Sequence, residues 1–172
     1  GGDQIPDLSF SLLPGENFFV DIYISDLPPV FAMAFDLNYD SSQLHVLKAS
    51  PSSQWNFQPM ADVDTPGNIL FGGGAPLGSS ISSDSANPNI LLGTIEFTCI
   101  AAGESIIGLT KSSLAGAGFY DANTYEDISD TFEWQESMVV SQVPIPATAI
   151  LFLSGIFGLV GIRKFKAGKR ES

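Results

Sequence analysis

Cysteine, histidine and basic side chains are scarce in this chain. One Cys and one His stand among 172 residues. A single thiol excludes an intrachain disulfide framework and any multi-cysteine zinc or iron–sulfur site. Charged residues make up 15% of the sequence, against about 25% in an average protein, which leaves little material for charged helix surfaces. A formal charge of −12 argues against a surface built to neutralise nucleic-acid phosphates. Before residue 143 no stretch sustains a 3.6-residue apolar period with caps, so helices are not expected there.

What is present is turn and strand material. Seventeen Gly, eleven Pro and thirteen Phe predict aromatic-rich strands separated by frequent turns. In FFVDIYI, Phe18, Val20, Ile22 and Ile24 share one face. In VFAMAFDLNYD, Phe31, Met33, Phe35, Leu37 and Tyr39 alternate with small and polar residues. LHVLKA (44–49), NILFGG (68–73), ILLGTIEFTCI (90–100), ESIIGLT (104–110), AGFYD (117–121) and FEWQESMVV (132–140) continue the series. Turn signals such as Leu13-Pro14-Gly15, Leu27-Pro28-Pro29 and Thr65-Pro66-Gly67 punctuate it. Short alternating strands at this spacing predict an all-β antiparallel sandwich over residues 1–142.

The charge is divided rather than mixed. Residues 1–142 hold two bases, Lys48 and Lys111, against eighteen acids, a formal −16. Residues 143–172 hold five bases, Arg163, Lys164, Lys166, Lys169 and Arg170, against Glu171 alone, a formal +4. Such asymmetry marks two environments. No charge interrupts PIPATAILFLSGIFGLVGI, and its part from Ala147 to Ile162 would span about 24 Å as a helix. A hydrocarbon core is about 30 Å thick. A first turn from Pro144 and snorkelling of Arg163 and Lys164 close most of the gap. Residues 143–162 are therefore expected to form a single transmembrane helix after a short linker, Ser141 to Pro144. By the positive-inside rule the basic tail 163–172 lies in the cytoplasm, and the sandwich outside it. Ala147, Ser154, Gly158 and Gly161 fall on one helix face, where small residues admit a close neighbouring helix. A start at Gly1-Gly2-Asp3 fits a mature product whose secretory signal has been removed.

Two segments resemble known families. GENFFVDIYISDLPPVFAMAFDLNYDSSQLHVLKA, followed by ILLGTIEFTCIAAGESIIGLT, is similar to a cohesin-like domain over roughly residues 8–140. The shared features are the Gly-x-x-Phe-x-Val-Asp strand, the Phe-Asp-Leu-x-Tyr-Asp strand end, and the Leu-Gly-x-Ile-x-Phe strand before Ala-Ala-Gly. The resemblance implies a jelly-roll antiparallel sandwich of nine strands. The tail VPIPATAILFLSGIFGLVGIRKFK resembles PEP-CTERM sorting segments in their VPxPA variant, with Ile145 where Glu is usual. That likeness implies a diderm bacterium and a domain on the periplasmic side of its inner membrane.

No catalytic constellation assembles in the sequence. His45 lies in a strand without a Gly-x-Ser-x-Gly elbow anywhere in the chain, and reads as an exposed strand residue. Cys99 alternates inward with Ile95 and Phe97 and reads as a small core residue. Asp121-Ala-Asn123-Thr-Tyr125-Glu126-Asp127, with Asp130 nearby, sets oxygens at alternating positions as calcium loops do, but it lacks their central Gly and terminal Glu. It reads as a solvated acidic turn. The Gly- and Ser-rich stretch 71–89 lacks the Gly-Lys-Ser/Thr end of a phosphate cradle and reads as a long loop, a candidate binding loop with no nucleotide role. Trp55 and Phe57 either present aromatics at an interface or sugar-binding face or cover one end of the core. Trp134 reads as a core or sheet-face residue.

The expected molecule is thus a non-catalytic, membrane-anchored periplasmic module without metal or cofactor. Its partners are the lipid bilayer and an integral-membrane protein complex, photosynthetic or respiratory, that it serves as an accessory subunit. A sorted surface or matrix protein and an adhesion or glycan-binding module are the alternatives. Nucleic acid is not an expected partner.

Overall fold

The computed structural model describes residues 9–134 and 138–142. The strands are β1 (Ser9–Leu12), β2 (Asn17–Ser25), β3 (Val30–Asn38), β4 (Leu44–Pro51), β5 (Phe57–Asp62), β6 (Asn68–Gly74), β7 (Asn89–Cys99), β8 (Gly103–Lys111), β9 (Tyr120–Asp121) and β10 (Met138–Gln142), with one 3-10 turn at Ser129–Thr131. The larger sheet runs β1-β10-β8-β3-β6-β5, and β9 joins it through β3; the smaller runs β2-β7-β4. The expected transmembrane helix over 143–162, with its Ala147, Ser154, Gly158 and Gly161 face, lies outside the described residues, as does the basic tail 163–172. Among the described residues no helix is long and apolar enough to cross a membrane.

The alternation read in the sequence is what closes the sandwich. Phe35 and Leu37 of β3, Ile69 and Phe71 of β6, and Ile95 and Phe97 of β7 are fully buried or nearly so. Register then decides which rings meet. Phe35 and Phe71 are paired across β3 and β6 and stack at 5.0 Å, with 7° between their planes. Phe18 and Phe97 are paired across β2 and β7 and stack at 5.4 Å. Gly93 of β7 faces the Phe71 ring of the other sheet at close range. A Cβ there would come within 2.8 Å of the Phe71 ring and 3.0 Å of the Ser50 carbonyl oxygen. Only a residue without a side chain leaves the Phe71 ring room.

Four expectations are corrected. The sandwich is not wholly antiparallel, because β1 pairs with β10 in parallel. AGFYD supplies only the two-residue β9, and Phe119 before it turns into the core, fully buried. FEWQESMVV does not form one strand. Phe132 and Trp134 instead close on Phe119 edge-on, at 5.0 and 6.0 Å, and the Trp134 indole donates to the Ser129 carbonyl at 3.2 Å. Ser141 and Gln142, expected as linker, belong to β10.

β5 was not expected at all. Its backbone is irregular between Phe57 and Met60, where the register against β6 shifts and Gln58 sits at φ 48°. Pro59 within it suits an edge strand or bulge, where no ladder donor is needed. β5 closes the larger sheet at that edge.

Candidate functional site

The outward face of β3, β6 and β5 has an apolar half and a polar half. Register places Phe57 opposite Gly74 and Met60 opposite Gly72, and sets Ala32 and Ala34 of β3 beside the same two glycines. A Cβ on Gly74 would lie 3.2 Å from the Phe57 ring, and one on Gly72 would lie 3.4 Å from Met60 Cε. The missing side chains let Phe57 and Met60 rest on the sheet itself. Both remain exposed, at 41% and 39%. At the same end of the sheet Phe31 contacts the rings of Tyr125 and Tyr120, at 5.6 and 5.9 Å. Tyr125 is exposed and carries a left-handed backbone, φ 61°.

The polar half is a side-chain ladder. Asn38 Nδ2 donates to Thr110 Oγ1 at 3.1 Å, and Asn68 Nδ2 donates to Asn38 Oδ1 at 3.1 Å. Asp36, nearly buried, accepts two long hydrogen bonds on Oδ2, from Asn68 Nδ2 and the Ser113 N–H, both at 3.3 Å. Its Oδ1 is buried with no partner. The ladder ties the sheet to the 112–114 segment and offers no nucleophile or base pair for catalysis.

The sequence-predicted residues separate. Trp55 is fully buried and is corrected from interface candidate to core residue. Its Cβ sits where a side chain on Gly73 would need to be, 3.1 Å away, and its indole donates to the Leu91 carbonyl at 3.2 Å. A ring filling the gap between the sheets cannot also present a surface. Phe57, two residues on, is the one at the surface. His45 is exposed on β4, in the row it shares with Thr98 and Asn17. Cys99 is buried.

The acidic turn is closed by the protein itself. Asp121 Oδ1 accepts the N–H groups of Asn123 and Thr124 at 2.7 and 2.9 Å. Hydrogen bonds from the Thr124 and Asn123 amides hold the Asp121 carboxyl below its ordinary range. Lys111 lies between Asp130 and Asp127, at 3.1 and 3.4 Å. The Asp130 hydrogen bond raises the lysine, while the Ser129 hydroxyl, assisted by Lys111, lowers Asp127. The segment is sealed underneath at Gly118, where a Cβ would meet Asp127 Oδ1 and Ser129 Oγ at 2.6 Å each. Among the described residues no group of three or more His, Cys, Asp or Glu is arranged to hold a metal ion.

This sandwich has counterparts among solved structures. The solution structure of CaCohA2 from Clostridium acetobutylicum matches 78% of this chain and 86% of its own, with TM-score 0.60 and 23% identity. The third cohesin of ScaC from Acetivibrio cellulolyticus, solved in complex with the ScaB dockerin, matches 78% of this chain and 94% of its own, with TM-score 0.60 and 19% identity. The fold is that of a cohesin module. A cohesin from a family 33 glycoside hydrolase of Clostridium perfringens extends the likeness to 83% of this chain, at TM-score 0.57 and 15% identity. No protein-family model and no curated protein matches the chain. The cohesin fold here is carried by the buried register of β2, β3, β6 and β7.

Proposed function

We propose that this chain is a non-catalytic protein-binding module of cohesin fold and an accessory subunit of a larger bacterial membrane complex. Residues 143–162 anchor it in the inner membrane, with the sandwich in the periplasm and residues 163–172 in the cytoplasm. The observation that carries the reading is the exposed apolar half-face of Phe57 and Met60 laid over Gly74 and Gly72. Apolar side chains grouped on an open sheet face suit a protein partner better than a small substrate.

The partner's chemistry follows from the rim. Asp62 and Asp64 flank the apolar residues and are exposed. Of the two bases in residues 1–142, Lys48 lies on the smaller sheet and Lys111 is engaged with Asp127 and Asp130. The matching surface is therefore apolar at its centre and basic at its edge. Several of the similar cohesins are solved with a dockerin bound, which supports a protein as the partner class.

The test is to extract native membranes in mild detergent, size the particle that holds this chain, and identify what co-migrates. A stoichiometric complex with the tail intact is expected. A free monomer, or a shortened chain recovered outside the cell, contradicts the proposal and favours the sorted surface protein that the VPIPA tail resembles.

A further inference from the structure

We propose that the cleft between the 75–88 loop and the β2–β7 edge of the smaller sheet binds a neutral saccharide. The cleft has a volume of about 490 Å³ and opens to solvent. Its polar lining is Tyr23, Gln54, Ser80, Ser82, Asn87 and Asn89, and aliphatic side chains complete it. No lining residue is charged, although the first 142 residues carry eighteen acids and two bases. Gln54 Nε2 and Asn89 Oδ1 are engaged within the protein, with the Leu91 carbonyl and the Ser25 hydroxyl. The Asn87 amide and the hydroxyls of Ser80, Ser82 and Tyr23, beside the half-exposed Tyr23 ring, match a sugar's hydroxyls and its apolar C–H face. The cleft offers an anion no cation and a metal ion no carboxylate.

The cleft is also built in advance. Ile81 exchanges backbone hydrogen bonds with Val30 at 2.8 and 2.9 Å. The Ser83 N–H donates to the Leu27 carbonyl at 2.9 Å, and Ser83 Oγ accepts the Leu27 N–H at 3.0 Å. Asp84 directs its carboxylate back into the loop, accepting the N–H groups of Ala86 and Asn87 at 2.8 and 2.7 Å. On the other wall the β2–β7 register shifts between Ile22 and Tyr23, which brings Tyr23 opposite Leu91. The Leu91 carbonyl accepts both Gln54 Nε2 and the Trp55 indole, at 2.9 and 3.2 Å. Buried Trp55 thus positions Gln54 and the strand that carries Asn89, and Tyr23 is the aromatic left facing the ligand. A loop ordered before binding loses less freedom when the ligand arrives.

The test is affinity electrophoresis of the full chain, in a detergent without a sugar headgroup, through gels containing β-glucan, xylan, galactomannan or the acidic polygalacturonate. Retardation by at least one neutral polysaccharide is expected, with polygalacturonate inert. Tyr23→Ala should weaken the retarding interaction about tenfold or more, as truncating an aromatic anchor does. Asn87→Ala should weaken it as well; its side chain makes none of the loop's hydrogen bonds named above, so the loop stays folded. Phe57→Ser, on the other sheet, should bind like the unmodified chain. Passage of the unmodified chain through all three neutral gels unretarded overturns the proposal. So does equal retardation by polygalacturonate, or retardation that survives both the Tyr23 and Asn87 substitutions. Because Phe57→Ser tests the protein-binding face alone, failure of one site is distinguishable from failure of the other.

Discussion

The outward faces of the two sheets obey the same alternation and come out chemically different. On the smaller sheet each outward row mixes polar or charged partners across the strands: Asn17, Thr98 and His45 in one, Phe19, Glu96 and Lys48 in the next, Asp21, Thr94 and Ser50 in the third. Its exposed aromatics, Phe19 and Tyr23, are confined to the edge strand β2 and separated by Asp21. On the larger sheet the outward face is divided: Asp36, Asn38 and Asn68 form its polar half, while at the other end Ala32, Ala34, Gly72 and Gly74 are small and Phe57 and Met60 of β5 lie over the glycines. The difference shows how an exposed apolar surface is made without disturbing a core. Glycines remove side chains from β6, the strand next to the edge, and the irregular edge strand β5 supplies the replacements.

The largest effect should come from the residue that supports both faces. Trp55→Ala should cost about 3–5 kcal/mol of stability in a denaturant titration, as expected for a buried Trp. A surface Trp would cost little, so a loss under about 1 kcal/mol would contradict the account. Glycines on the two sides sharpen the contrast. Gly93→Ala forces a Cβ into the Phe71 ring and should cost about 1–3 kcal/mol, whereas Gly72→Ala meets the flexible end of Met60 at 3.4 Å and the Met33 carbonyl oxygen at an ordinary 3.8 Å, and should cost less than about 1 kcal/mol. Thermal melts of the two variants side by side would decide this.

Acid should weaken the fold through its carboxylates. Asp121, Asp127 and Asp40 are all held below their ordinary range by hydrogen bonds to their charged forms, in Asp40 from Ser42. The unfolded chain therefore takes up protons first as pH falls, so their contribution is intact above about pH 4 and declines below it. A melting temperature measured from pH 6 to pH 3 should fall through the lower part of that range. A rise there would mean that relief of the −16 self-repulsion dominates. The smallest effects belong to isolated surface residues: Phe19→Ser should change stability by no more than about 0.5 kcal/mol and leave partner binding unchanged.

Much of this architecture is legible in the sequence, and the gaps have physical causes. β2, β3, β6 and β7 were readable because Phe18, Phe35, Phe71 and Phe97 obey a strict period of two, and register then stacks them in pairs. β5 was not, because Gln58 and Pro59 break that period at the point where the strand turns its apolar residues outward. Trp55 left both readings open, since one Trp between polar neighbours carries no period. The Gly- and Ser-rich stretch was visible as a loop, but its cleft depends on the Ile81–Val30 pairing and on the register shift at Tyr23, both of which are long-range. The acidic turn looked like a loop of free carboxylates because Lys111, ten residues upstream of Asp121, gave no local sign that it would pair with Asp127 and Asp130.

Whether the partner is met by the Phe57–Met60 face is decided by site-specific photo-crosslinking. A photoreactive residue placed at Met60, and separately at Glu96 of the smaller sheet, would be activated in intact membranes. A discrete crosslinked species is expected from Met60 and none from Glu96. Crosslinking from Glu96 alone, or from neither position while the complex stays assembled, would contradict the Phe57–Met60 face as the meeting surface.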